Sequence, residues 1–301
     1  MSKNPFAGFV CAGLLSLVVL SPALAADIST YTVGSLKIVR IVDGKNGVPV
    51  DQLRGGDSGT VRQLVNGDMC PNLITSYVLD NGEGLTLLDS GFGDIEPGAM
   101  YGHFLAAGYK PGDVKRVLLT HLHGDHVGGL IKGDRKVFPN ALIYVNEAEL
   151  AFWKDRGNWQ AVPEMMRYCF DAVAKLLHLY GDQVKTFREG ERVVPWLSPI
   201  NVAGHTAGHT MFELNYGGET VYLWGDIIHC LAVQARYPEV SVPMVDTDPE
   251  QASRARMRAL ELVANTDRLV FGEHFTNPGV GKFRSRPDGG YDFVAIEVDA
   301  E

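Results

Sequence analysis

Thr120-His121-Leu122-His123-Gly124-Asp125-His126 closes an apolar run that begins at Val114, and the reading of the whole chain turns on that placement. Val114 to Thr120 is a short apolar segment of the kind that forms a buried strand. At an extended strand end side chains repeat with period two, so His121 and His123 point to one side and both imidazoles can reach one ion. The chain then turns at Gly124, where Asp125 and His126 can aim a second pair of donors at a neighbouring ion. Imidazole nitrogen and carboxylate oxygen are the donors expected around Zn²⁺ in a catalytic site, which keeps about three protein ligands and one open position. Loop histidines exposed at a strand end are the bland alternative, but H-x-H-x-D-H is too dense a pattern to attribute to chance.

Further donors have to come from elsewhere, and three candidates each follow an apolar segment. They are His205 in Ala203-Gly204-His205-Thr206-Ala207-Gly208-His209, Asp226 in Leu223-Trp224-Gly225-Asp226, and His274 in Phe271-Gly272-Glu273-His274. Singly each is weak, because an Asp after Gly is commonly a turn residue and a lone His is commonly structural.

Taken together, the first motif and these later residues resemble the metallo-β-lactamase fold superfamily over nearly the whole chain after residue 25. Leu87-Leu88-Asp89-Ser90-Gly91 is similar to that family's early strand-turn motif, H-x-H-x-D-H to its signature, and the later His, Asp and His come in its usual order. The stretches from Phe138 to Trp153, Gly204 to Thr210 and Ala232 to Asp248 look most like the secreted methyl parathion hydrolase and lactonase-like branch. The resemblance implies an α+β (α/β) chain folded as a four-layer αβ/βα sandwich, with metals at one edge of two facing sheets.

Position by position, the resemblance implies that His121, His123 and His205 hold one metal, that Asp125, His126 and His274 hold the other, and that Asp226 bridges both. The implied cofactor is two Zn²⁺, other divalent metals being open. Asp125 is the candidate catalytic group, holding the nucleophile or shuttling its proton, with service as a ligand alone left open. His209 is expected to orient the loop or a neighbouring ligand, or to be plainly structural. His103, His178 and His229 match no ligand position and are read as packing or surface residues. Asp89 is expected to fix a turn or support a ligand from behind.

The expected function is a binuclear metal-dependent hydrolase in which metal-bound hydroxide attacks a lactone of the acyl-homoserine type, a phosphotriester or an ester. No Ser stands in a G-x-S-x-G context and no Cys-His pair is evident, so a covalent nucleophile is not indicated. A β-lactam-hydrolysing enzyme is the alternative; it is disfavoured because Asp226 stands where those enzymes have Cys or Ser. A metal-binding or redox member of the fold is a further class; it needs an iron site, which the ligand set leaves open, or an added flavin domain, and no extra domain is expected here. Phe92, Phe152 and Trp153 are placed either in pocket walls or in ordinary core packing.

Outward from the motif, Leu73 to Leu79 and Leu85 to Leu88 flank Asp80-Asn81-Gly82 as a hairpin. Pro199 to Ala203 and Thr220 to Leu223 read as a second hairpin-like pair. Apolar residues between Glu147 and Tyr180 recur at helical spacing, with Gly181 as the stop. Asp248-Pro249-Glu250-Gln251 opens another helix, with Asp248 as cap and Gln251 as capping-box partner. With no repeat, linker or composition shift, residues 26–301 are expected to form a single domain.

A chain of 301 residues with 46% hydrophobic and 21% charged residues has the composition of a globular protein. Its formal net charge of -9, without runs of like charge, gives no support to nucleic-acid binding. The expected partner is therefore a small-molecule substrate, with homodimerisation left open. Residues 1–25 combine Lys3, an apolar run from Phe6 to Leu20, Pro22 and Ala23-Leu24-Ala25, which reads as a cleaved secretory signal. The apolar run is shorter than a membrane span, so the mature chain is expected in the periplasm or secreted, with no membrane association. Cys70, Cys169 and Cys230 remain, an odd number that allows at most one disulfide; they are read as three small buried apolar side chains.

Overall fold

The computed structural model describes residues 27–96 and 98–296; the predicted signal sequence lies outside them. The strands are β1 (Ile28–Val33), β2 (Leu36–Pro49), β3 (Met69–Asp80), β4 (Leu85–Leu88), β5 (Val114–Leu118), a small ribbon of β6 (Ile131–Lys132) and β7 (Arg135–Lys136), β8 (Leu142–Asn146) and β9 (Val184–Phe187). The second half adds β10 (Leu197–Asn201), β11 (Thr210–Tyr216), β12 (Glu219–Leu223), β13 (Leu269–Phe271), β14 (Val280–Ser285) and β15 (Tyr291–Ala295). One sheet runs β1-β2-β3-β4-β5-β8-β9 and the other runs β10 to β15 in sequence order. The first sheet is antiparallel to β4 and parallel from β4 through β9; in the second, only β12 and β13 are parallel.

Alternation along the strands divides the core into three layers. In β3, Tyr77 and Leu79 face the other sheet while Val78 faces the helices; Leu118 and Val117 of β5 divide the same way. Across the interface, Leu223 and Phe271 meet them, whereas Tyr222 and Val270 turn outward onto the helix Pro249–Val263. The helices Met100–Ala106 and Cys169–Tyr180 cover the first sheet through Phe104, Phe170, Val173 and Leu176. Helix, sheet, sheet, helix is the expected αβ/βα sandwich. Among the described residues no helix is long and apolar enough to cross a membrane.

Several local expectations are corrected. The segment 199–203 does not pair with 220–223: β11 lies between β10 and β12 and bonds to both. β11 alternates apolar and polar residues from Phe212 to Tyr216, the pattern of a half-buried strand, where the expectation followed continuous apolar runs. The insert from Glu147 to Tyr180 is two helices, Glu147–Lys154 and Cys169–Tyr180, joined by 3₁₀ turns, with Gly181 (φ 49°) ending the second. Asp248 caps its helix by accepting the Gln251 N–H at 2.9 Å, but its own N–H goes to the Gly204 carbonyl at 2.8 Å, so the capping box is not reciprocal.

The cysteines are also corrected. Cys70 and Cys230, 160 residues apart, form a disulfide, and Cys169 is the one buried free thiol among the described residues. Cys70 opens β3 and Cys230 follows β12; facing the two sheets brings their Cα atoms to 5.7 Å, a proximity that no local spacing records. The bond sits among Val48, Val61, Val233, Val240 and Val242.

Candidate metal centre

Every loop that contributes to the centre leaves one edge of the sandwich. Asp89 follows β4, the H-x-H-x-D-H segment follows β5, His205 and His209 lie between β10 and β11, Asp226 follows β12 and His274 follows β13. The two sheets are tied at this edge by Thr210 N–H donating to the Thr120 carbonyl at 2.9 Å. Gly225 (φ 60°) lets the chain turn just before Asp226, where a Cβ would stand 2.6 Å from His209 Nε2.

The seven side chains singled out in the sequence come together as two groups sharing one carboxylate. His121, His123, His205 and Asp226 form the first, and Asp125, His126, His274 and Asp226 the second, with donor atoms in each within 4.8 Å of one another. In the first group, His121 Nε2 lies 3.2 Å from His205 Nε2, and these lie 3.7 and 3.3 Å from Asp226 Oδ2. In the second, His126 Nε2 is 3.5 Å from Asp125 Oδ2 and 3.3 Å from Asp226 Oδ1; His274 Nε2 is 3.6 Å from Asp125 Oδ2 and 2.8 Å from Asp226 Oδ2. Two donors about 2.1 Å from one tetrahedral ion stand roughly 3.4 Å apart. The spacings therefore suit a cation in each group.

The other ring nitrogens strengthen that fit. His126 Nδ1 faces Asp89 Oδ2 at 2.8 Å, His205 Nδ1 faces Asp246 Oδ1 at 2.9 Å and His274 Nδ1 faces the Leu73 carbonyl at 2.8 Å. Thr120 Oγ1 donates to Asp89 Oδ2 at 2.7 Å and so accepts from His121 Nδ1 at 3.0 Å. Each Nδ1 thus has an acceptor for its proton, which makes Nε2 the nitrogen turned inward and the one a cation would take. Lone pairs facing each other, or facing carboxylates, repel unless a proton or a cation lies between them. His123 Nε2, His126 Nε2 and Asp226 Oδ1 are buried and make no hydrogen bond.

The same crowding sets the ionisation of the metal-free site. Burial, then the neighbouring imidazoles, hold His121 and His123 well below the usual imidazole range. Burial also opposes charge on His126, but the carboxylates of Asp226, Asp125 and Asp89 outweigh it and raise the group well above its ordinary value. His205 is pushed up to about 9 against burial by its bonds to Asp226 and Asp246, and His274 is raised by Asp226 and Asp125. Asp226, despite burial, is kept well below the carboxylate range by His274, His126 and His121.

Asp89 fixes a turn and supports His126, as expected. Its backbone is left-handed (φ 54°), a conformation that costs a non-glycine residue on the order of 1 kcal/mol. Bonds from Thr120 N–H and Oγ1 and from His126 Nδ1 over-determine it. His209 Nε2 accepts the Asp226 N–H at 3.0 Å, which holds the loop that carries the shared carboxylate. His178 is exposed, and half-buried His103 bonds the Val42 carbonyl at 2.7 Å.

His229 departs from the packing or surface role expected of it. It is buried in the wall of the site, with Nε2 3.1 Å from Asp226 Oδ2 and its ring stacked on His274 at 4.9 Å. Three residues after Asp226, it was hidden by the absence of any motif around it. Asp246 and the buried Glu149 were likewise missed, since only long-range packing brings them to the site.

A cavity of about 100 Å³ opens over the two groups, and Asp125, with 12% of its side chain exposed, reaches into it. Its apolar wall is Val48, Met165, Met166, Met244 and Val245, while Asn46 and Asn72 stand on a polar side. Phe92, Phe152 and Trp153 do not line it. Trp153 is core, edge-on to His123 at 5.6 Å.

A family model described as Metallo-beta-lactamase superfamily matches residues 71–274. An N-acyl homoserine lactonase of a Bacillus species is 24% identical over 255 residues, covering 75% of this chain and 91% of that protein. A probable metallo-hydrolase of Mycobacterium bovis is 26% identical over 183 residues, which is 50% of this chain; the chain spans just over half of that relative, 56% of its length. Among solved structures, the hydrolase AbOPH of the beta lactamase superfamily superposes with a TM-score of 0.83 at 27% identity, over 91% of this chain and 99% of its own. The dizinc quorum-quenching lactonase AidC also gives 0.83, at 22% identity over 90% and 98%, a likeness of fold.

Proposed function

Because the chain belongs to the metallo-beta-lactamase superfamily, we propose that it is a binuclear metal-dependent hydrolase whose best substrates are lactones of the acyl-homoserine type, with weaker action on aryl esters or phosphotriesters. The observation that carries this reading is Asp226, a single buried carboxylate faced from two sides by the inward-turned Nε2 atoms of His121, His126, His205 and His274. His121, His123 and His205 would hold one ion, Asp125, His126 and His274 the other, and Asp226 both. The donor set suits zinc. Such a pair, when bound, supplies water activation near neutral pH and polarisation of a substrate carbonyl or phosphoryl oxygen.

The chain's own groups supply the rest. Burial acts to raise the Asp125 carboxyl, but His126 and His274 outweigh it and hold the group well below the usual range. Asp125 is therefore ionised at neutral pH, and its Oδ2 offers an acceptor that orients a water for attack. Val48, Met165, Met166, Met244 and Val245 exclude water from one side of the cavity and suit an acyl chain; the flexible methionines tolerate varied shapes. The lactone preference is supported by that wall and by sequence relatives named as N-acyl homoserine lactonases. We extend the reading to export, for which the Cys70–Cys230 disulfide is the support, since such bonds persist in oxidising compartments.

The test is a substrate panel on zinc-reconstituted protein covering acyl-homoserine lactones, aryl esters, phosphotriesters and penicillins. Lactone turnover should lead, and both chelation and His121→Ala should abolish it, with zinc restoring only the chelated enzyme. Penicillin turnover well above every lactone and phosphotriester, or activity surviving both treatments, would overturn the reading.

A further inference from the structure

Glu149 lies in the helix Glu147–Lys154, whose N-terminus Asn146 caps by accepting the Ala148 N–H at 2.8 Å. Its side chain is fully buried, and it belongs to neither group of the metal centre. Oε1 accepts the Leu122 N–H at 2.9 Å and the Trp153 indole N–H at 2.8 Å; Oε2 accepts the Gly208 N–H at 2.7 Å. Leu122 is the residue between His121 and His123. Gly208 stands between His205 and His209, in a loop from the other sheet.

From these contacts we infer that Glu149 is a positioning residue of the first ion site, one buried carboxylate clamping both loops that carry His121, His123 and His205. Resting on the two-ion reading above, the inference assigns the clamp to one site only. The second site is held by other acceptors, Asp89 for His126 and the Leu73 carbonyl for His274. The clamp is tight: a Cβ on Gly208 would stand 2.5 Å from the Glu149 backbone nitrogen, so the loop lies directly against the helix. Glu149 also holds Trp153, whose ring meets His123 edge-on at 5.6 Å. Without the carboxylate, two buried backbone N–H groups lose their partners and both loops are free to relax.

Glu149→Gln keeps the shape but sets an amide NH₂ against an N–H donor, so one loop must let go. Glu149→Asp keeps the charge but is too short to reach both loops. Zinc affinities of wild type and both variants are measured by competition with a chromophoric chelator, and site identity by cobalt(II) absorption. In each variant one ion should bind as in wild type and the other about 10- to 100-fold more weakly, the usual range for groups that orient ligands. Circular dichroism of the metal-free variants should match wild type. Equal affinities for both ions, equal weakening of both, or loss of fold in both variants would overturn the assignment. A wild-type protein that takes up no zinc would instead defeat the two-ion reading itself.

Discussion

Asp246 Oδ1 lies 2.9 Å from His205 Nδ1, so a carboxylate 41 residues further along the chain sets which nitrogen of His205 faces the site. Its second oxygen accepts the Val242 N–H at 2.9 Å, which leaves the group no freedom to turn away. Asp246→Ala is expected to weaken zinc binding by about 10- to 100-fold and to lower turnover accordingly. Chelator competition and kinetics at saturating zinc separate the two effects: turnover should largely recover with excess zinc. Zinc affinity equal to wild type would contradict the role.

Asp226→Asn should reduce the number of tightly held ions below two, because an amide cannot bridge two cations as a carboxylate does. Elemental analysis after exhaustive dialysis reads the result directly. Two retained ions would remove the bridge from the account.

Ion uptake near neutral pH should release protons. In the metal-free protein His205, at about 9, and His126 and His274, both raised, carry protons that a cation must displace. Calorimetric titration with zinc at pH 7 in buffers of different ionisation enthalpy should give a slope corresponding to net proton release, and affinity should fall as pH is lowered. The stability of the metal-free protein follows the same groups. A base whose folded pKa is raised above its unfolded value near 6.5 stabilises the fold fully below 6.5 and loses that contribution as pH rises through the folded pKa. Metal-free protein should therefore lose thermal stability between about pH 6.5 and 9, and zinc should suppress that loss.

Reduction of the Cys70–Cys230 bond, or its replacement by paired serines, should cost about 2–5 kcal/mol of stability, given the long loop it closes. Denaturant melts with and without reductant check this. Protein recovered from the periplasm or medium should begin near Ala26 and carry no free thiol except Cys169. Intact residues 1–25 on cytosolic protein would count against export.

The metal-facing residues were legible because chemistry and backbone period coincide there. His121 and His123 are two apart at a strand end, and His205, Asp226 and His274 each follow an apolar strand or its turn. Strands with apolar runs, such as β4 and β5, were equally readable. β11 carries a different signal, the period-two alternation Phe212-Glu213-Leu214-Asn215-Tyr216, which a reading by continuous apolar runs passes over. Glu149 and Asp246 belong to no local pattern and their site partners lie in other loops, while His229, three residues from Asp226, belongs to no motif and meets His274 only through folding. The disulfide was hidden for the same reason: an odd set of cysteines allows a pair without naming it, and only the facing of the sheets does so.

The division of the centre between two sheets has a consequence for the order in which a chain is made. His121, His123, Asp125 and His126 leave the ribosome together, 84 residues separating His121 from His205, and His274 comes later still, against a Leu73 carbonyl laid down 201 residues before it. Until the second sheet docks, the first four have neither the shared carboxylate nor the imidazoles of His205 and His274. High-affinity zinc capture therefore reports completed folding of the whole chain, and a nascent or truncated N-terminal half has no means of sequestering zinc with the affinity of the finished site.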